Sequence, residues 1–381
     1  MKLLFVTEYF PENKNLKFTG GVEARTYYII NNLAKKHEIT VLCKKTSFFK
    51  QPKLVDGVKV IPCGFNSKTV EVSFISLFER MAFMIAAFLK GYNLNFDLVE
   101  GSNFVSFLPA FFIGKLKRKS VVSWWPDVLA DSWFGYFGIT GLFGQLIEKI
   151  SLKLPWTKVI ALSQATKKKL IKNGVKENKI DVVYGGVDIK KLTVSNLESI
   201  KKEKNIICIS RLVKYKRVED LILAFSKLEK KLPKFNLLII GTGPEEKKLK
   251  YLVKAKKIDN KVEFRKNISR NKLYNLLKKA YIFCLPSVIE GFGLVTIEAA
   301  ALGTPFIVTN IEVNKEVTKN GMGGIFFKKE NFQDLENKIK ILINNKDLYR
   351  QKQKQGLKLA KYYEWKKIAS KTESVYLNIL K

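Results

Sequence analysis

The chain has 381 residues, room for two ordinary domains, and 46% of them are hydrophobic, so full cores are easily built. Sixty-nine Lys and Arg against 34 Asp and Glu give a formal charge of +35, far from the balance of a neutral cytosolic enzyme. That excess attracts polyanions such as nucleic acid, nucleotides or anionic lipid, and it is spread over both halves with no basic tail. Four cysteines, at 43, 63, 208 and 284, form no Cys-x-x-Cys pair. They read as buried thiols in a reducing compartment and exclude a disulfide framework or a cysteine metal cluster.

In chain order, residues 1–7 read as a first strand and are too short for a signal-peptide core. No apolar run has the length of a membrane-crossing helix. Residues 74–89 are interrupted by Glu79 and Arg80, and 104–113 is short and holds Pro109. Apolar runs alternate with amphipathic ones, which predicts parallel sheets with helices outside. A first sheet is expected from strands at 3–7, 39–43, 58–61, 97–100, 121–124, 159–162 and 180–184. The helix at 21–36 places Val22, Tyr28, Ile29 and Leu33 on one buried face and ends at His37, the sole histidine, expected at the surface. Ser163 is an N-cap for a helix at 164–173, which Gly174 closes. The polar, Lys-rich stretch after Asp188, up to Asn205, reads as a linker.

A second cycle follows, with strands at 206–210, 237–240, 262–264, 282–285 and 306–308. Its helices are expected at 219–230, 244–257, 271–280 and 294–302, and 331–381 is mostly helical. Two similar sheets are implied without any internal sequence repeat.

The most informative stretch is Glu290-Gly-Phe-Gly-Leu-Val-Thr-Ile-Glu298. Glu290 follows an apolar strand, and Glu298 lies within a helix. A ligand binds an α/β domain at the carboxyl end of a strand, facing a helix N-terminus. Two carboxylates there suit the hydroxyls of a sugar or ribose, because each accepts several hydrogen bonds. The longer run from Pro286 to Pro305 resembles glycosyltransferase family 4, with the Glu-x7-Glu signature of retaining enzymes of GT-B architecture.

The resemblance implies an α/β fold of two Rossmann-like, doubly wound parallel-sheet domains facing a central cleft, with a C-terminal helix crossing back to the first. The expected division is 1–190 for an acceptor-side domain, 191–204 for the linker, 205–362 for the nucleotide-sugar domain, and 363–381 for the returning helix. Tyr362-Tyr-Glu-Trp365 opens that last element. Donor-side residues are carried over position by position. Gly20 and Gly21 open a helix and would face the donor diphosphate. Arg211 and Lys216, in Ser210-Arg-Leu-Val-Lys-Tyr-Lys-Arg217, match the family's paired cations. Ser210 and Arg217 depart from the glycines usual there. Gly241 and Gly243 would line the nucleotide cleft. Arg265 to Ile268 sits where the nucleobase is received and lacks the usual glycine, so base identity stays open between UDP- and GDP-linked sugars. Glu290 would face the sugar ring, Glu298 the ribose, and Gly291, Phe292, Gly293 and Leu294 would surround sugar and phosphates.

The first domain departs from the family where a histidine usually follows the fifth strand. Here the residues are Trp124-Trp-Pro-Asp127. Asp127 is left as a catalytic candidate, with Trp124, Trp125 and Asp131 on the acceptor side. Transfer would proceed on one face of the sugar, with cations rather than a metal holding the leaving phosphate and no other cofactor. The implied partners are a nucleotide-sugar donor and a glycan or lipid-linked acceptor, with no specific nucleic acid; Lys115-Leu-Lys-Arg-Lys119 after the apolar run 104–113 suits an anionic membrane surface and equally a buried helix followed by a basic loop. The expected location is cytoplasmic, peripheral on the inner face of the plasma membrane. Two other readings stand beside this one: a polyanion-binding protein, for which no nucleic-acid motif is found, and an inactive relative acting as a partner. A nicotinamide enzyme is disfavoured, since the first turn lacks Gly-x-Gly-x-x-Gly.

Overall fold

The computed structural model describes residues 1–11, 18, 20–46, 57–67, 74–192, 197 and 200–381; of the expected linker, 193–196 and 198–199 lie outside the described residues. The chain divides into two compact units, Met1–Gly185 with Trp365–Lys381, and Gly186–Glu364.

The first unit runs β1 (Lys2–Thr7), α1 (Gly21–Leu33), β2 (Glu38–Thr46), β3 (Val58–Ser67), α2 (Phe74–Tyr92), β4 (Leu98–Gly101), α3 (Phe104–Leu116), β5 (Ser120–Trp125), α4 (Trp133–Phe137), α5 (Ile139–Lys153), β6 (Lys158–Ala161), α6 (Gln164–Lys172) and β7 (Ile180–Val182). Its strands form one parallel sheet in the order β3-β2-β1-β4-β5-β6-β7. Alternation along β1 assigns its two faces. Leu4 and Val6 join the core under α2 and α3, with Phe83, Ala87, Phe107 and Ala110. Phe5 turns the other way. Ser163 caps α6 through its hydroxyl, which accepts from Thr166 N at 3.0 Å, and Gly174 follows with φ +92°.

The second unit runs α7 (Ile189–Leu192), β8 (Glu203–Ile209), α8 (Val218–Leu228), β9 (Asn236–Ile240), α9 (Glu246–Ala255), β10 (Val262–Arg265), α10 (Arg270–Lys279), β11 (Ala280–Leu285), α11 (Leu294–Ala301), β12 (Phe306–Thr309), α12 (Glu312–Val317), β13 (Gly324–Phe327), α13 (Phe332–Asn344) and α14 (Lys346–Ala360). Its sheet is parallel, ordered β10-β9-β8-β11-β12-β13. Strand β13 is absent from the sequence expectations. It is four residues long and opens on Gly324, which offers no strand propensity. A Cβ at Gly324 would lie 2.1 Å from the Phe306 ring, so the glycine is what lets β13 reach β12.

The last helix, α15 (Trp365–Leu380), belongs to the first unit. Trp365 stacks on Tyr28 of α1 with centroids 5.1 Å apart, and Tyr376 meets Phe5 edge-on. Sheet on one side and α15 on the other explain why α1 is buried almost all round. His37 is not a surface residue. Its Nε2 lies 2.8 Å from Glu373 of α15, which covers the ring.

All four cysteines are buried and carry no disulfide. Burial pushes the Cys63 thiol up to about 11 and that of Cys208 up to about 12, so neither is a nucleophile near neutral pH. Lys202 is half-buried just ahead of β8, donating to Lys278 O at 2.8 Å and Thr304 Oγ1 at 2.7 Å. Burial, then the Lys278 charge, lowers its pKa to about 7. The unfolded lysine titrates near 10.4, so between about pH 7 and 10 the unfolded chain holds more protons and stability rises with pH. Replacing Lys202 by Met is expected to remove up to one proton's slope, about 1.4 kcal/mol per pH unit. Urea midpoints of the two proteins from pH 6.5 to 10 would show it; parallel curves would refute it.

Candidate functional site

The second sheet reverses its strand order between β8 and β11, and at such a point two loops splay apart at the carboxyl edge and leave a crevice. Residues 210–217 leave β8 there, and 286–293 leave β11. Val288 N donates to Tyr215 O at 2.9 Å and ties the two loops together. Lys216 Nζ is ion-paired with Glu290 Oε1 across the crevice. Arg211 stays exposed and donates to the Tyr215 hydroxyl. Three of the expected site residues therefore converge. Arg217 does not join them. It takes a left-handed conformation (φ +50°) and turns to Asp220 and Glu219 in the first turn of α8, leaving Lys214 exposed.

Gly293 precedes α11 with φ +77°, a conformation that favours glycine, and no side chain caps that helix. Of its first-turn N–H groups, Thr296 N donates to Gly293 O at 2.9 Å, and those of Leu294 and Val295 are the ones offered to an anion. Phe292 is buried, edge-on to Tyr363 with centroids 5.2 Å apart. Its role is to fix the loop, so the groups offered by Gly291, Gly293 and Leu294 are backbone ones.

Glu298 lies one turn further along, 3% exposed. Its Oε1 accepts from Arg270 Nη2 and, at 3.3 Å, from the Tyr274 hydroxyl. Oε2 is buried with no hydrogen-bond partner among the described residues. Burial raises the Glu298 carboxyl above its ordinary range, while Arg270 and Tyr274 pull it back. A half-satisfied buried carboxylate costs stability, and a ligand hydroxyl donating to Oε2 would recover it. Arg270 and Tyr274 are absent from the sequence expectations, since nothing in their local pattern points to a carboxylate 28 and 24 residues on.

Gly241 and Gly243 have a packing reason. A Cβ at Gly241 would lie 1.8 Å from Ser210 O, and one at Gly243 2.3 Å from Leu212 O. The turn after β9 is pressed onto the loop carrying Arg211, with Leu212 N donating to Thr242 O at 2.8 Å. These glycines shape the crevice by supporting its wall. Arg265 ends β10 and pairs with the exposed Glu263, and Ile268 is half-buried beyond Asn267 (φ +54°). Both sit at the carboxyl edge, two strands away from β8.

In the first unit, Gly20 is exposed and extended ahead of α1, with Gly21 the first helical residue. Asp127 follows β5. Its Oδ1 accepts from Val128 N at 2.8 Å and Lys169 Nζ at 2.7 Å. Asp131, in the turn Ala130–Ser132, is exposed and pairs with Lys149. Trp124 and Trp125 are core residues, each 1% exposed, and neither presents a ring face to an acceptor. Both faces of the sheet are covered at β5. Trp124 carries the Arg25 guanidinium 4.6 Å from its ring centroid, and Trp125 packs on Phe107. The buried Glu148 accepts from Leu129 N, Ala130 N and Trp133 Nε1 at 2.7–3.1 Å and so fixes the segment after Asp127. The buried pair Arg80–Glu8, at the end of β1, also lies outside the sequence expectations. Among the described residues no three of His, Cys, Asp and Glu cluster as metal ligands.

The family model for Glycosyltransferase Family 4 matches residues 19–191, and that for Glycosyl transferases group 1 matches residues 190–359. The chain belongs to the family 4-type glycosyltransferases. An uncharacterized glycosyltransferase of Haemophilus influenzae is 29% identical over 63% of this chain and 67% of its own length. The N,N'-diacetylbacillosaminyl-diphospho-undecaprenol alpha-1,3-N-acetylgalactosaminyltransferase of Campylobacter jejuni is 27% identical over 91% of this chain and 93% of its own. In other curated relatives the match spans under two thirds of their length, 59% and 56% in two of them. The Anabaena protein HepE, solved with UDP-glucose, superposes with TM-score 0.80 at 18% identity, covering 99% of this chain and 100% of that one. The fold of this glycosyltransferase is therefore GT-B. Its carboxylate and cation pairs lie on the second unit, where the group 1 model matches.

Proposed function

We propose that this glycosyltransferase moves a hexosyl group from a UDP-linked sugar to a hydroxyl of a glycan or lipid-linked acceptor, with retained configuration and without a metal ion. The observation that carries the reading is the pairing of Lys216 with Glu290 at the strand reversal, followed, one turn into α11, by a buried Glu298 with an unused oxygen. Glu298 Oε2 accepts from a ribose hydroxyl. Glu290 accepts from the sugar's hydroxyls. Lys216 and Arg211 hold the diphosphate, and the first turn of α11 faces its negative charge. The glycines at 20 and 21 are proposed as further phosphate-facing groups. Asp127 is proposed to orient the acceptor.

As the bond from the anomeric carbon to phosphate breaks, the acceptor oxygen bonds to that carbon on the same face. The acceptor's proton passes to the departing phosphate oxygen. Charge grows on that phosphate during the step, so fixed cations favour the transition state over the ground state. Two cations in place supply what a metal ion supplies elsewhere. The donor bound in the Anabaena neighbour favours UDP, and the name of the Campylobacter relative favours a diphosphate-lipid acceptor.

Thermal shift against UDP, GDP and ADP tests the donor site. At a hundred times its Kd a ligand adds about 2.7 kcal/mol, which moves the midpoint by roughly 5–10 °C for a unit of this size. UDP alone should do so. Glu298→Ala should lose most of the shift, and Glu298→Gln, which retains one acceptor oxygen, should lose less. Equal response to all three nucleotides, or none, would sink the assignment.

A further inference from the structure

The outer surface of the first unit's helical layer carries apolar residues that the core does not use. On α2, Phe78, Met81, Ile85, Leu89 and Tyr92 recur at intervals of three and four and are all exposed, Ile85 to 60%. On α5, Ile139, Leu142, Leu146 and Ile150 repeat the pattern. Between these helices lies α3, packed against both, with Phe112 and Leu116 outward. The fit of α2 to α3 is close, since a Cβ at Gly91 would lie 2.5 Å from Ile113 Cδ1. Three apolar stripes therefore run side by side. At 1.5 Å per residue and 8–10 Å between helices, the face measures about 20 by 20 Å. Patches of that size on monomers are usually binding surfaces.

Charge identifies the occupant. The three helices contain two carboxylates, and both turn inward: Glu79 to Lys44 at 2.9 Å, and Glu148 to the backbone at Leu129 and Ala130. The cations gather at one end. Each of these helices connects parallel strands, so all run the same way and their C-termini lie together. Lys90, Lys115, Lys117, Lys119 and Lys153 stand there, with Lys117 Nζ donating to Tyr92 O at 2.9 Å. A second copy would bring no outward carboxylate from these helices to meet the cations. An apolar face with a cationic end matches an anionic bilayer, where the side chains enter the acyl boundary and the lysines meet headgroups; the exposed Asp131 beside α5 is paired with Lys149.

We infer that the outward face of α2, α3 and α5 docks this enzyme on an anionic lipid surface. The inference gives a place to the lipid-linked acceptor proposed above, and it is measured without donor or acceptor, so the two fail separately. The experiment is co-sedimentation of the full chain with vesicles of phosphatidylglycerol and phosphatidylcholine in equal parts, in about 0.15 M NaCl. Ile85→Glu with Leu146→Glu should lose about tenfold or more in partitioning. Tyr251→Glu with Ile341→Glu makes the same change of charge at exposed apolar positions of α9 and α13 and should lose less than about twofold. The milder pair Ile85→Ser with Leu146→Ser, at unchanged melting temperature, should fall between them. Equal losses in both glutamate pairs would assign binding to overall charge and overturn the docking face. So would failure of the unaltered chain to sediment. Light scattering showing a dimer that the Ile85 and Leu146 changes dissolve would give the face to a second copy.

Discussion

Replacing Lys216 by Ala should lower the rate of UDP release from a saturating UDP-sugar by about a hundredfold to a thousandfold. A single preorganised donor facing a developing oxyanion contributes roughly 2.7–4 kcal/mol, and that is the basis of the figure. The Lys216 side chain is 13% exposed and anchored on Glu290, itself 9% exposed. A cation fixed in a half-dry crevice needs no reorganisation as charge moves to the leaving phosphate. The fall should therefore appear in kcat, with KM changed much less. Arg211→Ala should cost less, nearer tenfold, because its exposed guanidinium is screened by solvent and, among the described residues, is hydrogen-bonded only to the Tyr215 hydroxyl. The double replacement should cost less than the product of the two, since both are proposed to act on one diphosphate. Equal loss in kcat/KM with kcat intact would mean uniform binding of donor and transition state, and the proposed role of Lys216 would fall.

The parallel sheets were legible because their strands are buried on both faces and so appear as continuous apolar runs of four to six residues. The same property hid two things. Gly324 masked β13, since the glycine that brings the strand close to β12 carries no apolar signal. At β5 the pair Trp124 and Trp125 reads equally as core or as a sugar platform, and only the cover on both sides decides for core. The Glu290 and Glu298 spacing was legible because a strand end, a glycine turn and a helix place them in a fixed local geometry. Their partners were not alike in this respect. Lys216 lies in a loop with its own recognisable pattern. Arg270 is one cation among 69, and its bond to Glu298 exists only because α10 packs beside α11. Pairings across long stretches of chain, such as Arg80 with Glu8, leave no periodic trace.

The pairing with the largest structural consequence joins Arg25 of α1, Glu100 of β4 and Tyr376 of α15. Arg25 reaches both Glu100 oxygens, and the Tyr376 hydroxyl donates to Oε2. Ser102 Oγ donates to Oε1 at 3.3 Å, and Trp124 lies under the guanidinium. Arg25, Glu100 and Tyr376 are at most 2% exposed. Burial, followed by the Glu100 charge, raises the Tyr376 hydroxyl well above its ordinary range, so it remains a donor. Removing one partner strands a buried charge, at a cost of about 3–5 kcal/mol. Arg25→Met should accordingly lower the first unit's melting temperature by roughly 6–20 °C. Tyr376→Phe removes one hydrogen bond to a charge and should cost about 1.5–3 kcal/mol. It should also loosen α15, and cleavage by trypsin at Lys366 and Lys367 would report that. The triple change Arg25→Met, Glu100→Leu and Tyr376→Phe should recover much of the loss, because apolar packing replaces a buried pair well. If Arg25→Met melts as the parent does, the network is not what fastens α15, and the Trp365 stack on Tyr28, the Tyr376 contact with Phe5 and the Glu373 pair with His37 would carry that role.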